Sequence, residues 1–477
     1  MKLTGNLSRS FRALAALFAV ALASLGGAVY LTHERIQREP DAYVESGGGG
    51  LASLDLRDVL ASSSEGDERM LDGAFRQVEK EYYKPLDAQT LLSGEQRELV
   101  AYLKKHGIAS PAIPVITATG DEDQDARALN KDLEVAQRLY GKRTSNEELT
   151  QAAIRGMLDS LGDPYTTYLS PKEIQSLEES LKGGDFGGIG VYIVQDPRSK
   201  EVLVQPIDGT PADKAGVKTG DRILSVDGHP VNTLKLDDVE NLIRGPIGTV
   251  VHLRIKSHTL KTERIVAITR EQIYVPSVLA KREDGFEYIR LADFGQTSYD
   301  EVRKAVLDGK AHDVKGYILD LRNNGGGLLD AAVQISSLFI PSGTIVSTID
   351  RAGDRDTKTA THDSVGAAPL VILVNKFTAS ASEITAGAVQ DYKVGTLIGT
   401  KTFGKGVVQS IYNTSDGGAL KITTAKYVTP LGRDIQHKGI QPDVFIDQTV
   451  DAPMMIDSPK DVQLAAAKSY LRRIARR

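Results

Sequence analysis

From Ile273 onward, short apolar runs alternate with segments of helical spacing. The strand-like runs are Phe286–Leu291, Gly316–Leu321, Thr344–Asp350 and Leu370–Val374; helical spacing falls on Tyr299–Leu307, Leu328–Leu338 and the stretch after Ser380. This alternation leaves few architectures open and predicts an α/β core with buried strands. Within it, Asp320-Leu321-Arg322-Asn323-Asn324-Gly325-Gly326-Gly327-Leu328 sets three glycines between a strand and a helix. Free N–H groups at a positive helix end suit a developing oxyanion. A phosphate loop is excluded because no G-K-[ST] follows.

The second informative stretch runs from Phe377 to Gln409. Ser380 and Ser382 stand at the mouth of the predicted helix, Lys405 lies between Gly404 and Gly406, and Gln409 follows shortly. The chain has no cysteine and no G-x-S-x-G elbow. If it performs covalent chemistry, a serine activated by a lysine leads the field. Ser380 with Glu383 also forms an S-x-x-E capping box, which by itself only starts a helix. A neutral Lys405 requires burial away from carboxylates; Phe403, Val407 and Val408 are the expected apolar walls. His437 near Asp434 gives no ordered triad.

Ahead of this core the texture changes at Gly183. Glycines 183, 184, 187, 188 and 190 precede the strand-like Val191–Gln195 and Val202–Pro206; Pro211 to Gly228, a helix from Leu236 to Arg244, and strands Val250–Ser257 and Arg264–Thr269 complete the unit. Glycines before an edge strand leave N–H groups for an anion-binding nest, and the edge itself can pair with an extended peptide. The run P-A-x-x-A-G-V-x-x-G-D-x-I-L-x-V-D-G resembles a bacterial PDZ domain. That resemblance implies capture of a free C-terminal carboxylate by Gly188, Ile189 and Gly190, with the following helix lining the groove.

Farther upstream, Asp67 to Tyr82, Gln96 to Lys105 and Ala128 to Leu161 have helical spacing, the last stopping at Gly162-Asp163-Pro164. Asp121, Asp123 and Asp125 alternate like a calcium loop, but Ala126 and Asp132 replace its glycine and glutamate, so a solvated loop is expected. At the amino end, Lys2, Arg9 and Arg12 precede an uncharged run, residues 13–32, containing Ala21-Leu22-Ala23. Export follows on either open reading, a cleaved signal or a retained membrane anchor, with the glycines at 47–50 as a linker. The 58 Lys and Arg against 63 Asp and Glu form no basic stripe, so nucleic acid is not an expected partner.

From about Glu148 to Ile446 the chain resembles the carboxy-terminal processing peptidases, tail-specific serine proteases of peptidase family S41. Five motifs agree in order: the segment from Gly156 to Thr166, the PDZ run, D-L-R-N-N-G-G-G-L-L, T-A-S-A-S-E-I with T-F-G-K-G-x-V-Q, and Tyr427 to Asp443. The resemblance implies an α/β multidomain chain with a ClpP/crotonase-like serine protease core. Its divisions are 1–50 signal or anchor plus linker, 51–182 N-terminal helical region, 183–270 PDZ domain, 271–450 protease core and 451–477 C-terminal helix. By resemblance the nucleophile falls on Ser380, the general base on Lys405 and a third polar group on Gln409, four residues on and on the same side if that segment is helical. The oxyanion hole falls on Ala381 with Gly325 or Gly326, where many relatives have proline at the Gly325 position. Arg244 matches an arginine implicated in coupling the PDZ domain to the serine site.

Expected partners are protein substrates bound through their C-terminal tails, an adaptor protein and further copies of the chain, in the periplasm or envelope. No cofactor or metal is expected. The competing readings are a PDZ-based envelope scaffold with an inactive protease fold, and a thioester hydrolase, for which no adenine or pantetheine signal is found. Residues 81–127 match nothing in the family pattern and are expected to be an insertion between helices. Leu464, Ala467 and Leu471 are expected on one side of the terminal helix.

Overall fold

The computed structural model describes residues 29–30, 56–181, 186–195, 201–207, 209–258, 260, 262–273, 276–366, 368–448 and 460–475. The expected leader or anchor over 13–32, the glycine linker, Gly183, Gly184 and the terminal Arg476 and Arg477 lie outside them, apart from Val29–Tyr30. Among the described residues no helix is long and apolar enough to cross a membrane.

The predicted alternation becomes a six-stranded sheet in the order Val278–Glu283, Phe286–Leu291, Tyr317–Asp320, Leu370–Val374, Thr396–Gly399 and Val444–Phe445. All neighbours are parallel except the first pair. Parallel strands are covered on both faces, which is why the central Tyr317–Asp320 and Leu370–Val374 are buried at every position, whereas the antiparallel edge strand Val278–Glu283 is largely exposed. Successive side chains point to opposite sides. Leu319, Ile372 and Val374 therefore meet the helices Ser298–Ala311, Leu329–Ser337 and Ala381–Tyr392. Ile318, Val371 and Leu373 meet Leu464, Ala467 and Leu471 of the helix Val462–Ile474, as the spacing predicted.

A second sheet runs Val29–Tyr30, Val407–Asn413, Ala419–Val428, Thr344–Ile349 and Arg355–Thr359, with Thr167–Leu169 added on Ala419–Val428. Leu420 and Ile422 of this sheet join a helical layer whose buried residues include Phe75, Leu99, Leu133 and Met157. The helices of that layer are Leu56–Glu81, Ala88–Lys105, Glu122–Tyr140 and Asn146–Asp159.

The structure departs from three expectations. The stretch from Ala128 is broken at Gly141, and Ser145 restarts the helix by accepting from Glu148 N–H at 3.4 Å. The segment from Asp121 is the start of a helix and not a solvated loop: Asp121 caps Glu122–Tyr140 by accepting from Gln124 N–H at 2.9 Å, and Asp125 is buried, binding the Thr119 and Gly120 N–H groups. Residues 81–127 are thus part of the helical layer, with Leu91, Leu92 and Leu103 fully buried in it.

The glycine-introduced unit is a sheet ordered Val191–Gln195, Val202–Pro206, Asp221–Val226, Val250–Lys256, Glu263–Thr269, antiparallel throughout. Val191–Gln195 is an edge strand, beside the helix Leu236–Ile243.

Candidate active site

Strands Tyr317–Asp320, Leu370–Val374 and Thr396–Gly399 are successive neighbours. Loops leaving the carboxyl ends of parallel strands are the usual place for a site in such sheets. The first loop carries Gly325–Gly327, the second Ser380 and the third Lys405.

Ser380 has φ 56° and ψ −118° and is completely buried. A positive φ at a residue with a Cβ is a strained conformation that its surroundings must impose. They do so through Glu383. Its Oε2 accepts from Ser380 N–H at 3.0 Å and also from Lys405 N–H at 2.8 Å. Its Oε1 accepts from Gly404 N–H at 2.8 Å and Thr402 Oγ1 at 2.5 Å. One buried carboxyl therefore joins the turn bearing the serine to the loop bearing the lysine. Tyr427 adds an O–H donated to the Ser380 carbonyl at 3.1 Å.

Lys405 is 2% exposed. Burial, reinforced by repulsion from Lys421, brings its amine down to about 7, against weaker attraction from Asp163 and Glu383. Of the expected walls, Val407 and Val408 are buried but Phe403 is 45% exposed. The wall that sequence reasoning missed is Tyr165, whose ring centroid lies 4.4 Å from Lys405 Nζ. Close approach explains the preceding glycine: a Cβ on Gly404 would stand 2.7 Å from the Gly439 nitrogen.

Gln409 lies on a strand, not a helix, and a bulge falls between Val408 and Gln409. Its side chain is fully buried, with Nε2 donating to Thr423 Oγ1 at 3.3 Å and Oε1 lacking a donor among the described residues.

The glycine turn abuts the serine, since a Cβ on Gly326 would lie 2.8 Å from Ser380 Cβ. Asn324 holds the turn: its carbonyl accepts from Ala379 N–H and Ser382 Oγ, at 3.0 and 3.1 Å. Its side-chain oxygen accepts from Gly326 N–H at 2.8 Å. The Gly326 N–H, expected as an oxyanion donor, is therefore already engaged. Gly325 and Ala381 N–H have no acceptor among the described residues.

In the PDZ-like unit, the Ile189 side chain is 1% exposed and belongs to the core, and its carbonyl accepts from Ala212 N–H at 2.9 Å. Gly188 pairs with Glu271 and Gly190 has φ 73°. Arg244 follows the helix Leu236–Ile243 and pairs with Glu240 at 2.5 Å.

The arrangement joins a parallel-sheet core, with a buried serine and lysine on its loops, to a PDZ-like unit, and known proteins share these parts. Residues 286–446 match peptidase family S41, 202–257 match a PDZ domain, and 114–173 match the N-terminal domain of the activating protease CtpB. The chain belongs to peptidase family S41. A carboxyl-terminal-processing protease of Synechocystis sp. is 41% identical over 339 residues, covering 70% of this chain and 79% of that protein. A carboxy-terminal-processing protease of Bartonella bacilliformis is 39% identical over 311 residues, covering 64% of this chain and 70% of the relative. A solved photosystem II D1 C-terminal processing protease is 29% identical with a TM-score of 0.47, covering 85% of this chain and 97% of that one.

Proposed function

We propose that this peptidase cleaves other proteins near their C-termini with Ser380 as nucleophile and Lys405 as general base. The observation that carries the reading is the single Glu383 oxygen that binds the N–H groups of both Ser380 and Lys405. A serine hydroxyl needs a base, and an amine brought to about 7 by burial is neutral often enough to serve at ordinary pH. Attack forms an acyl-enzyme on Ser380 Oγ and releases the C-terminal fragment, with the proton passing through Lys405 to the leaving amine. Water then hydrolyses the ester.

Gln409 offers its undonated Oε1 as an acceptor to orient the lysine. The N–H groups of Ala381 and Gly325 supply the oxyanion contacts, and Gly326 joins them if Asn324 releases it. A substrate tail adds to the edge strand Val191–Gln195, its carboxylate meeting the backbone of Gly188 to Gly190, while Arg244 couples that event to the serine site. The basic, then uncharged, amino end supports action on exported proteins in the cell envelope.

The test compares wild type, Ser380→Ala and Lys405→Arg on a protein with a nonpolar C-terminus, reading new termini by mass spectrometry. Both variants are expected to lose cleavage, since a guanidinium cannot become a neutral base. Equal cleavage by Ser380→Ala refutes the mechanism.

A further inference from the structure

The turn of residues 163–166 meets the site from the side of the helical layer, and beyond the wall that Tyr165 forms it has no role so far. It follows the helix Asn146–Asp159 and leads into Thr167–Leu169, which pairs with Ala419–Val428. Asp163 locks it internally. Its Oδ1 accepts from Tyr165 N–H at 3.0 Å and its Oδ2 from Thr166 Oγ1 at 2.8 Å. Thus fixed, the turn reaches two groups of the proposed machinery. The Tyr165 ring lies 4.4 Å from Lys405 Nζ. Thr166 Oγ1 accepts from Thr423 N–H at 3.0 Å, and Thr423 Oγ1 is the atom that Gln409 Nε2 binds.

We propose that Tyr165 is a positioning residue for Lys405, its ring face seating the amino group in the buried site, so that the helical layer forms part of the base's machinery. The proposal rests on the reading of Lys405 as the base.

Physical chemistry supplies a signature that packing alone does not. The face of an aromatic ring attracts an ammonium more than a neutral amine. Four influences meet at Lys405: Lys421, on Ala419–Val428, repels its charge; Glu383, on Ala381–Tyr392, and Asp163 attract it; and the Tyr165 ring lies against Nζ. Burial raises the Tyr165 phenol, so at working pH the ring is neutral and acts through its face. Loss of the ring therefore disfavours the protonated lysine and also frees its side chain to wander. The first effect moves the acid limb of the pH–rate profile to lower pH, and the second lowers the plateau.

The experiment measures kcat and KM from pH 5 to pH 10 (working values of about that span) on one peptide substrate for the full chain and three variants. Tyr165→Phe keeps the ring and is expected to follow wild type. Tyr165→Leu is expected to lower the kcat plateau about ten-fold with KM little changed, and to shift the acid limb down by about 0.5 to 1 pH unit. Lys405→Ala is expected to be inactive.

A wild-type profile for Tyr165→Leu, or equal damage in Tyr165→Phe, overturns the proposal while an inactive Lys405→Ala leaves the base assignment standing. An active Lys405→Ala instead removes the base assignment, and the proposal with it. If Tyr165→Leu does not fold, Tyr165→Met, which also keeps apolar bulk without a ring, carries the same two expectations.

Discussion

A buried amine is a stability liability, and Lys405 makes that measurable. Its folded pKa of about 7 lies below the ordinary 10.5, chiefly through burial. Between those values the unfolded chain holds the proton that the native site has lost, so stability from this group rises with pH across the window. Below about 7 both states are charged and the full burial penalty applies. Lys405→Met is expected to stabilise the fold by about 2–4 kcal/mol at pH 6, with the gain shrinking toward pH 10. Denaturant unfolding at the two pH values checks it, and a gain that grows with pH contradicts the burial account. The sequence marks Ser380 and Lys405 as candidates because both sit in dense local motifs. It does not mark the strained φ of Ser380, the Glu383 bond to two loops or the Tyr165 ring. Each depends on which distant residues the strands bring together, and Tyr165 and Lys405 are separated by the whole PDZ-like unit.

At the scale of elements, the terminal helix does more than cover the sheet. Its N-cap, Asp461, accepts from Leu464 N–H at 2.9 Å and from both Arg322 amino groups at 2.8 and 2.7 Å. Arg322 also binds Asp320, which in turn accepts from Tyr288 O–H at 2.8 Å. Arg322 opens the loop that continues to Gly325–Gly327 beside Ser380, so the helix end braces that glycine turn. The apolar face of the helix was readable from spacing, whereas its ionic end was not, because a capping aspartate carries no mark of its partner. Removing one member of a buried ionic network leaves the remainder underpaired. Asp461→Ala is expected to cost about 3 kcal/mol in stability and to lower kcat more than KM. Leu464→Ala, matched for destabilisation, serves as the control; an equal fall in kcat there removes the bracing role.

The helical layer carries a second buried charge problem. Glu95 is fully buried, neither of its carboxyl oxygens has a partner among the described residues, and burial with the nearby Asp132 drives its pKa well upward. Asp132 itself is pushed up to about 6, mainly by burial, while Gln96 binds it at 2.7 Å. With folded values above unfolded ones, the native layer holds protons that the unfolded chain releases, so stability falls as pH rises from the ordinary carboxyl range. Glu95→Gln is expected to stabilise the protein by about 2 kcal/mol at pH 7 and to be neutral near pH 4. A thermal-melting series over pH reads this, and equal effects at both ends would remove the carboxyl from the explanation.

For the whole molecule, the question is how a substrate engages two units at once. Among the described residues, the edge strand Val191–Gln195 has a partner strand on one side alone, Val202–Pro206. Its free edge offers backbone groups to an extended tail, a mode in which main-chain hydrogen bonds give affinity and the terminal carboxylate gives direction. Ile189, buried in the core of that unit, is a poor place to probe binding, because a charge there would unfold the unit before it tested the ligand. The substrate is the better variable. Amidating the C-terminal carboxylate of a tailed substrate removes the anion and leaves the scissile region unchanged. If the nest at Gly188 to Gly190 binds that anion, amidation is expected to raise KM about ten-fold, the worth of roughly one charge-assisted hydrogen bond. A short ester that acylates Ser380 without reaching the PDZ-like unit should react equally with and without an amidated tail peptide present, but faster with the free-acid tail if tail binding also activates the site. Unchanged KM on amidation would place substrate capture elsewhere on the molecule.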